Sequence, residues 1–212
     1  NLAVPVNPIR DIFINRFSYW EILGLSLNNF ISTHPKSMKS LPDEALEMKK
    51  SVINAFEQTI RINPGNTKIY GRLGYSYLEA GRHKDAIEIC QQAIRFNPDD
   101  DYIHGVLGEI YISLSKYNEA IDECKQAIKM NPDNDLAFCY LGTAYFRLSR
   151  YKEAIEAFKQ AIRIDPDYLT AHFNLGYTYL LLDDRGSALG EYKMLKSLDS
   201  EKADELFNEI YK

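Results

Sequence analysis

Pro64, Pro98, Pro132 and Pro166 stand 34 residues apart, and each follows Asn or Asp in the phrases IRINPGN, IRFNPDD, IKMNPDN and IRIDPDY. A fixed period of this length means that one supersecondary unit is copied along the chain, which changes how every other residue is read. The copying runs through the whole unit. KDAIEICQQAI, NEAIDECKQAI and KEAIEAFKQAI precede three of the prolines, and RLGYSYL, VLGEIYI, YLGTAYF and NLGYTYL follow the four.

Within one period the apolar residues fall at helical spacing twice, with a short break between the runs, so the unit reads as two antiparallel helices joined by a tight turn. For residues 67–100 the spacing predicts helix A over Lys68–Ala80 and helix B over Lys84–Phe96. Gly81-Arg82 breaks the first, and Asn97-Pro98 ends the second because proline cannot continue the hydrogen-bond ladder. Thr67, Asp101 and Asp135 are expected to open their helices by accepting free backbone N–H groups of the first turn.

Composition narrows the classes. The 212 residues are 45% hydrophobic and 26% charged, enough apolar material for a real core. A net charge of −5 gives no basic excess for gripping phosphates, so nucleic acid is not an expected partner. The longest uncharged runs, Ile22–Thr33 and Tyr168–Leu182, are shorter than the roughly 18–20 apolar residues that span a bilayer. The first residue is Asn1 rather than Met, so a removed leader or a membrane attachment outside this chain stays open. The compartment stays open with it, the cytoplasm being slightly favoured.

Aligned by period, residues 67–100 supply Tyr70, Leu73, Gly74, Tyr77, Ala86, Cys90, Ala93 and Pro98 at positions 4, 7, 8, 11, 20, 24, 27 and 32. Residues 101–134 supply His104, Leu107, Gly108, Tyr111, Ala120, Cys124, Ala127 and Pro132, and residues 135–168 supply Phe138, Leu141, Gly142, Tyr145, Ala154, Phe158, Ala161 and Pro166. Residues 169–202 keep His172, Leu175, Gly176, Tyr179, Ala188 and Tyr192 but carry Leu195 and Ser200 at positions 27 and 32. This pattern resembles the tetratricopeptide repeat. The resemblance implies an all-α, right-handed superhelical solenoid of antiparallel helix pairs with a protein-binding concave groove. The residue types also make physical sense without it: small residues at 8, 20 and 27 let helices approach, and large ones at 4, 7, 11 and 24 fill the space between them.

The ends are less regular. Residues 201–212 carry Ala203, Leu206, Phe207 and Ile210 at helical spacing and are expected to cap the stack. Residues 15–66 read as an irregular first helical pair, with helix B over Pro42–Ile62 and Val52, Phe56 and Thr59 at positions 20, 24 and 27. Trp20, Leu23, Gly24 and Leu27 reproduce helix A spacing out of phase with Pro64, which implies an enlarged connection around Ser32–Leu41; residues 1–14, with Pro5 and Pro8, are expected to run extended. YWEILGLS also resembles the opening of a J-domain, but His34-Pro35-Lys36 has lysine where that family requires aspartate.

In a solenoid of this kind, helix A positions 2, 5, 6, 9, 12 and 13 line the groove. The candidate partner-binding residues are Lys68, Arg72, Tyr102, Glu109, Leu136, Tyr140, Thr143, Arg147, Phe173, Asn174 and Tyr177. Aromatic rings with a few Arg and Asn groups have the composition of a binding hot spot. Tyr75, Ile112 and Leu180, at positions 9 and 12, are read as packing between repeats. Some relatives hold the carboxyl terminus of chaperones in a carboxylate clamp. Its positions hold Gly71, Tyr75, Val106, Leu136 and Tyr140 in one frame and Gly105, Glu109, Tyr140, Thr170 and Asn174 in the next, so clamp binding is not expected.

The reactive residues have structural explanations. Cys90 and Cys124 share a position in adjacent repeats, ~8–10 Å apart if their helices are neighbours, and read as buried small hydrophobes. Cys139 is expected to face the groove. His104 and His172, two repeats apart, cannot share a metal and read as packing. Asp99-Asp100-Asp101 lacks the glycine and glutamate of a calcium loop. No catalytic constellation, cofactor or metal site is expected. The expected function is a non-enzymatic scaffold or adaptor that holds another protein or peptide segment. The alternatives are a self-associating assembly protein, forming a homo-oligomer, and the interaction domain of a larger enzyme.

Overall fold

The computed structural model describes residues 42–198 and 200–211. Expectations for the extended segment 1–14, the helix around Trp20, the connection Ser32–Leu41 and His34 lie outside the described residues. Among those described there is helix and no strand: α1 Pro42–Ile62, α2 Thr67–Glu79, α3 His83–Phe96, α4 Asp101–Ser113, α5 Tyr117–Met130, α6 Asp135–Arg147, α7 Tyr151–Ile164, α8 Leu169–Leu181, α9 Arg185–Leu198 and α10 Ser200–Ile210. Two compact units result, one ending at Pro98 and the other beginning at Asp99.

In the first unit α1 packs on α2 and α2 on α3. Val52, Phe56 and Thr59 of α1 are all buried, Thr59 satisfying its hydroxyl on the Ala55 carbonyl at 2.9 Å. Opposite them lie Tyr70, Leu73 and Tyr77 of α2, whose tyrosines keep their polar ends paired. Tyr70 Oη donates to the Pro64 carbonyl at 3.1 Å and Tyr77 Oη to Glu57 Oε1 at 2.6 Å. Ala86, Cys90 and Ala93 present the close-packed face of α3.

The second unit stacks α4 through α10 in consecutive antiparallel pairs, with α4 touching α6 and α6 touching α8. Its core follows the period: Ala120, Cys124 and Ala127 on α5, then Ala154, Phe158 and Ala161 on α7, all fully buried. Burying a side chain the size of Phe158 stabilises by roughly 1.5–3 kcal/mol, and its ring fits only because position 8 of the facing helix has no side chain. A Cβ on Gly142 would lie 2.6 Å from Phe158 Cε1, and one on Gly108 would lie 2.7 Å from Cys124 Sγ.

Each A–B turn closes in the same way. Gly81, Ser115, Ser149 and Asp183, one period apart, all have positive φ, 72° for the glycine and 59° for the others. The residue after each donates its N–H back to the position 11 carbonyl: Arg82 to Tyr77, Lys116 to Tyr111, Arg150 to Tyr145 and Asp184 to Tyr179, at 2.8–2.9 Å. This is the Schellman pattern, which satisfies the last carbonyls of helix A. In three turns that residue is a cation whose charge also lies over the same tyrosine ring, at 4.2 Å for Arg82, 5.9 Å for Lys116 and 4.4 Å for Arg150.

Three local expectations are corrected. The helix starts are displaced by one residue: the N-cap of α4 is Asp100, accepting from the Ile103 N–H, and that of α6 is Asn134, accepting from the Ala137 N–H. Thr67 likewise follows its N-cap, Asn66. Asp101 instead receives Asn131 Nδ2 and Asn134 Nδ2 at 2.9 and 2.8 Å, tying the start of one repeat to its end. In the last repeat Gly176 faces Leu206 of α10 rather than Tyr192, so the capping helix fills the space that position 24 fills elsewhere. Phe207 stays 40% exposed and packs its ring on Tyr192 and Tyr211.

Positions 4 and 23 alternate in chemistry. Where position 4 is histidine, position 23 is glutamate: His104 Nδ1 lies 2.7 Å from Glu123 Oε2, and His172 Nδ1 lies 2.6 Å from Glu191 Oε2. Where it is aromatic, position 23 is apolar, as in Tyr70 with Ile89 and Phe138 with Ala157. His172 Nε2 also lies 2.9 Å from the Pro166 carbonyl. A carbonyl and a carboxylate only accept, so this pair of partners favours the imidazolium, in which both ring nitrogens donate. Its pKa is raised, chiefly by the hydrogen bond to Glu191, with the Pro166 carbonyl and the charges of Glu191 and Asp167 adding and burial opposing.

This packing can be tested at its tightest and loosest glycines. Gly142→Ala is expected to destabilise by about 1–3 kcal/mol because Phe158 has nowhere to go. Gly105→Ala, where a Cβ meets nothing within 4 Å, should instead stabilise by about 0.5–1 kcal/mol. Urea midpoints of the two variants read both, and shifts of the same sign would contradict the packing described. For His172, raised above its ordinary 6.5, the contribution to stability is complete below pH 6.5 and is lost as pH rises through the higher native value. Chemical denaturation between pH 5.5 and 8.5 should show that loss. His172→Phe with Glu191→Ala, which copies the Phe138–Ala157 pair, should show a smaller one; an identical pH profile would remove the imidazolium from the account.

Candidate binding cleft

Three A helices of the second unit, α4, α6 and α8, border a cleft of about 390 Å3. Ile112 and Ser113 come from the end of α4, Thr143, Phe146 and Arg147 from α6, and Asn174 and Tyr177 from α8, with Phe158 of α7 beneath them. The period explains why these residues converge. They occupy positions 12–13 of one repeat, 9, 12 and 13 of the next and 6 and 9 of the third, so each lies about one helical turn earlier than its neighbour.

The walls are rings held by rings. Phe146 lies 5.8 Å from Tyr151 and 5.9 Å from Tyr177, and Tyr177 stacks on Phe173 with centroids 6.5 Å apart. Such pairs resist rearrangement and present apolar faces. Arg147 is exposed; its Nε donates to Tyr117 Oη at 3.3 Å, and its guanidinium lies 5.9 Å from the Tyr117 ring. Thr143 Oγ1 donates to the Cys139 carbonyl at 2.9 Å, so in the cleft it can only accept.

Of the residues singled out from sequence, Thr143, Arg147, Asn174 and Tyr177 meet in this cleft. Phe173 lines a separate hollow with Glu205, Asn208, Glu209 and Tyr211 of the C-terminal helix and its end. Tyr140 is half-buried and packs against the core of the second unit. Leu136 is 42% exposed, and Tyr102 and Glu109 are half-buried on α4, away from the cleft lining. Lys68 and Arg72 are exposed on α2 of the first unit. Ile112, read as packing between repeats, is part of the cleft wall. Phe158 reads from the sequence only as core; nothing in a helix B core position signals that its ring also forms a floor.

Cys139 does not face the groove as expected. It is 1% exposed, and burial pushes its thiol up to about 11 despite a hydrogen bond with Tyr168. Cys124 is raised further, again by burial, and Cys90 is equally enclosed. His104 and His172 are buried as packing residues, each paired with a glutamate that spacing alone does not assign to it. Among the described residues no cluster of three or more His, Cys, Asp or Glu is placed to hold a metal, and no helix is long and apolar enough to cross a membrane.

A cleft crossed by successive helices of a 34-residue repeat is the mark of an α-helical repeat scaffold, whose sites are assembled from equivalent positions of neighbouring copies. The tetratricopeptide repeat model matches residues 42–110, and the TPR repeat model matches residues 108–149 and 142–183. The chain belongs to the tetratricopeptide repeat family, which provides protein-interaction scaffolds. No curated protein matches the sequence. Among solved structures it is similar to TTC0263, a thermophilic TPR protein of Thermus thermophilus, with a TM-score of 0.68 and 21% identity over 80% of this chain and 94% of that one. It is also similar to MamA, with a TM-score of 0.62 and 24% identity over 77% of this chain and 95% of that one. At these identities the likeness is one of fold.

The burial of all three thiols gives a direct check. In native protein at pH 8, iodoacetamide is expected to leave Cys90, Cys124 and Cys139 unmodified over a time in which urea-unfolded protein reacts at all three, as read by peptide mass spectrometry. Rapid native labelling of Cys139 would return that residue to the surface.

Proposed function

We propose that this protein is an adaptor that acts by binding rather than by chemistry, holding a segment of a partner protein in the cleft between α4, α6 and α8. The observation that carries the reading is the convergence of Thr143, Arg147, Asn174 and Tyr177, with Ile112 and Phe146, in one ring-walled recess. Rigid aromatic faces give a large contact area at little entropic cost, and a guanidinium, an amide and two hydroxyls fix orientation.

The test is affinity capture from native lysate, comparing the wild-type chain with an Arg147→Glu/Asn174→Ala double variant shown by circular dichroism to be folded. Neither side chain belongs to the buried core, so the variant should keep its stability to within about 0.5 kcal/mol. The expected result is a partner, identified by mass spectrometry, that the wild type retains and the double variant loses. Recovery of the same proteins by both would move binding away from the cleft. Recovery of only further copies of the chain would replace the adaptor reading with self-association.

A further inference from the structure

Resting on that reading, we propose that the cleft selects a partner segment carrying a single carboxylate side chain next to a large apolar one. Charge and hydrogen-bonding capacity both lead there. Arg147 is the one charged residue among those lining the cleft, and none of the ion pairs among the described residues involves it. Only its Nε is engaged, which leaves the two terminal amino groups of the guanidinium for a planar, bidentate acceptor. The Asn174 carboxamide and the Ser113 hydroxyl likewise make no hydrogen bond among the described residues and can add donors to the same acceptor. Thr143, whose proton is committed to Cys139, offers lone pairs suited to a backbone N–H of the bound segment. Beside these groups, Phe146 and Tyr177 form an apolar wall that a carboxylate alone would leave wet.

The same facts exclude two neighbouring chemistries. A phosphate dianion calls for more than one cation, and the cleft has one. A run of acidic residues would meet the repulsion of a chain whose net charge is −5, whereas one carboxylate seated on Arg147 is governed by the local guanidinium. The site differs from a carboxylate clamp in its residues, since Arg147 stands at position 13 of its repeat and the clamp positions hold other side chains.

The probe is an array of immobilised synthetic peptides centred on Asp, Glu, Asn, Gln or phosphoserine and flanked by Leu, Phe or Ser, read with the labelled full chain. Asp and Glu peptides with Leu or Phe flanks are expected to bind about five- to tenfold better than their Asn and Gln isosteres, a range between exposed and charge-assisted pairs. That preference should vanish in Arg147→Gln and persist in Arg163→Gln, which removes an equal charge from α7 outside the cleft. Equal binding of acids and isosteres, strongest binding of phosphoserine, a preference that survives Arg147→Gln, or no binding at all would each overturn the proposal. None of these would touch a partner already lost from the double variant in lysate, so the chemistry of the segment and the location of binding fail separately.

Discussion

The structure depends on how closely helix A and helix B of one repeat can approach. Gly108 and Gly142 supply that closeness, because their missing side chains are replaced by Cys124 Sγ and the Phe158 ring. Everything further out is referred to this contact. With the pair fixed at that distance, alanines at positions 20 and 27 seal the helix faces with nothing longer than a methyl, and the next repeat lands on a surface of defined height. Phe158 then has two tasks. Packed against Gly142, it is the largest fully buried side chain of its repeat, and the same residue lines the cleft. The floor of the cleft is thus part of the core.

Each helical pair is closed at two further places, and the chemistry of the two differs. At the turn, one backbone pattern serves all four repeats, and only the first uses glycine for the left-handed residue; Ser115, Ser149 and Asp183 adopt that conformation at some cost. At the outer edge, positions 4 and 23 offer a choice. A His–Glu pair closes the edge with a hydrogen bond, whereas Phe138 over Ala157 closes it by shape and leaves an apolar recess with Leu141 and Tyr145 along its side. The edge contacts of the second unit therefore alternate between His–Glu and aromatic–alanine pairs without any change in backbone.

Much of this was legible in the sequence because a period is a redundant signal: four prolines, three alanine pairs and four Leu-Gly steps all place the same helices. The same signal locates helix B of the first described pair over Pro42–Ile62. What periodicity could not settle was any question finer than its own unit. Asp100 and Asp101 are chemically identical candidates for one cap, and only the chain's geometry chooses the first. Position 5 sits where the groove face meets the packed face, so Cys139 could be assigned to either and proved buried. The glutamate partners of His104 and His172 lie 19 residues away on another helix, within reach of an alignment of positions 4 and 23 but not of a search for metal ligands. In the cleft, residues at positions 6, 9, 12 and 13 of successive repeats come together, and where they do so depends on side-chain lengths that no period encodes.

This division between periodic and non-periodic residues has a geometric consequence. The cleft follows a diagonal, from position 12 on α4 through 9 and 13 on α6 to 6 on α8, so it crosses three helices rather than lying along one. An extended segment does this naturally, because its alternating side chains advance by about 6–7 Å per pair, close to the spacing of rings such as Phe146, Tyr177 and Phe173. The periodic positions beneath can vary only within what packing allows. Those on the diagonal vary freely from repeat to repeat: serine, arginine and leucine occupy position 13 in the three full units from 101 onward, as Ser113, Arg147 and Leu181. The cleft is therefore lined where the repeat is broken. Substitution at position 13 should leave the stack intact, and substitution at position 8 or 24 should disturb it.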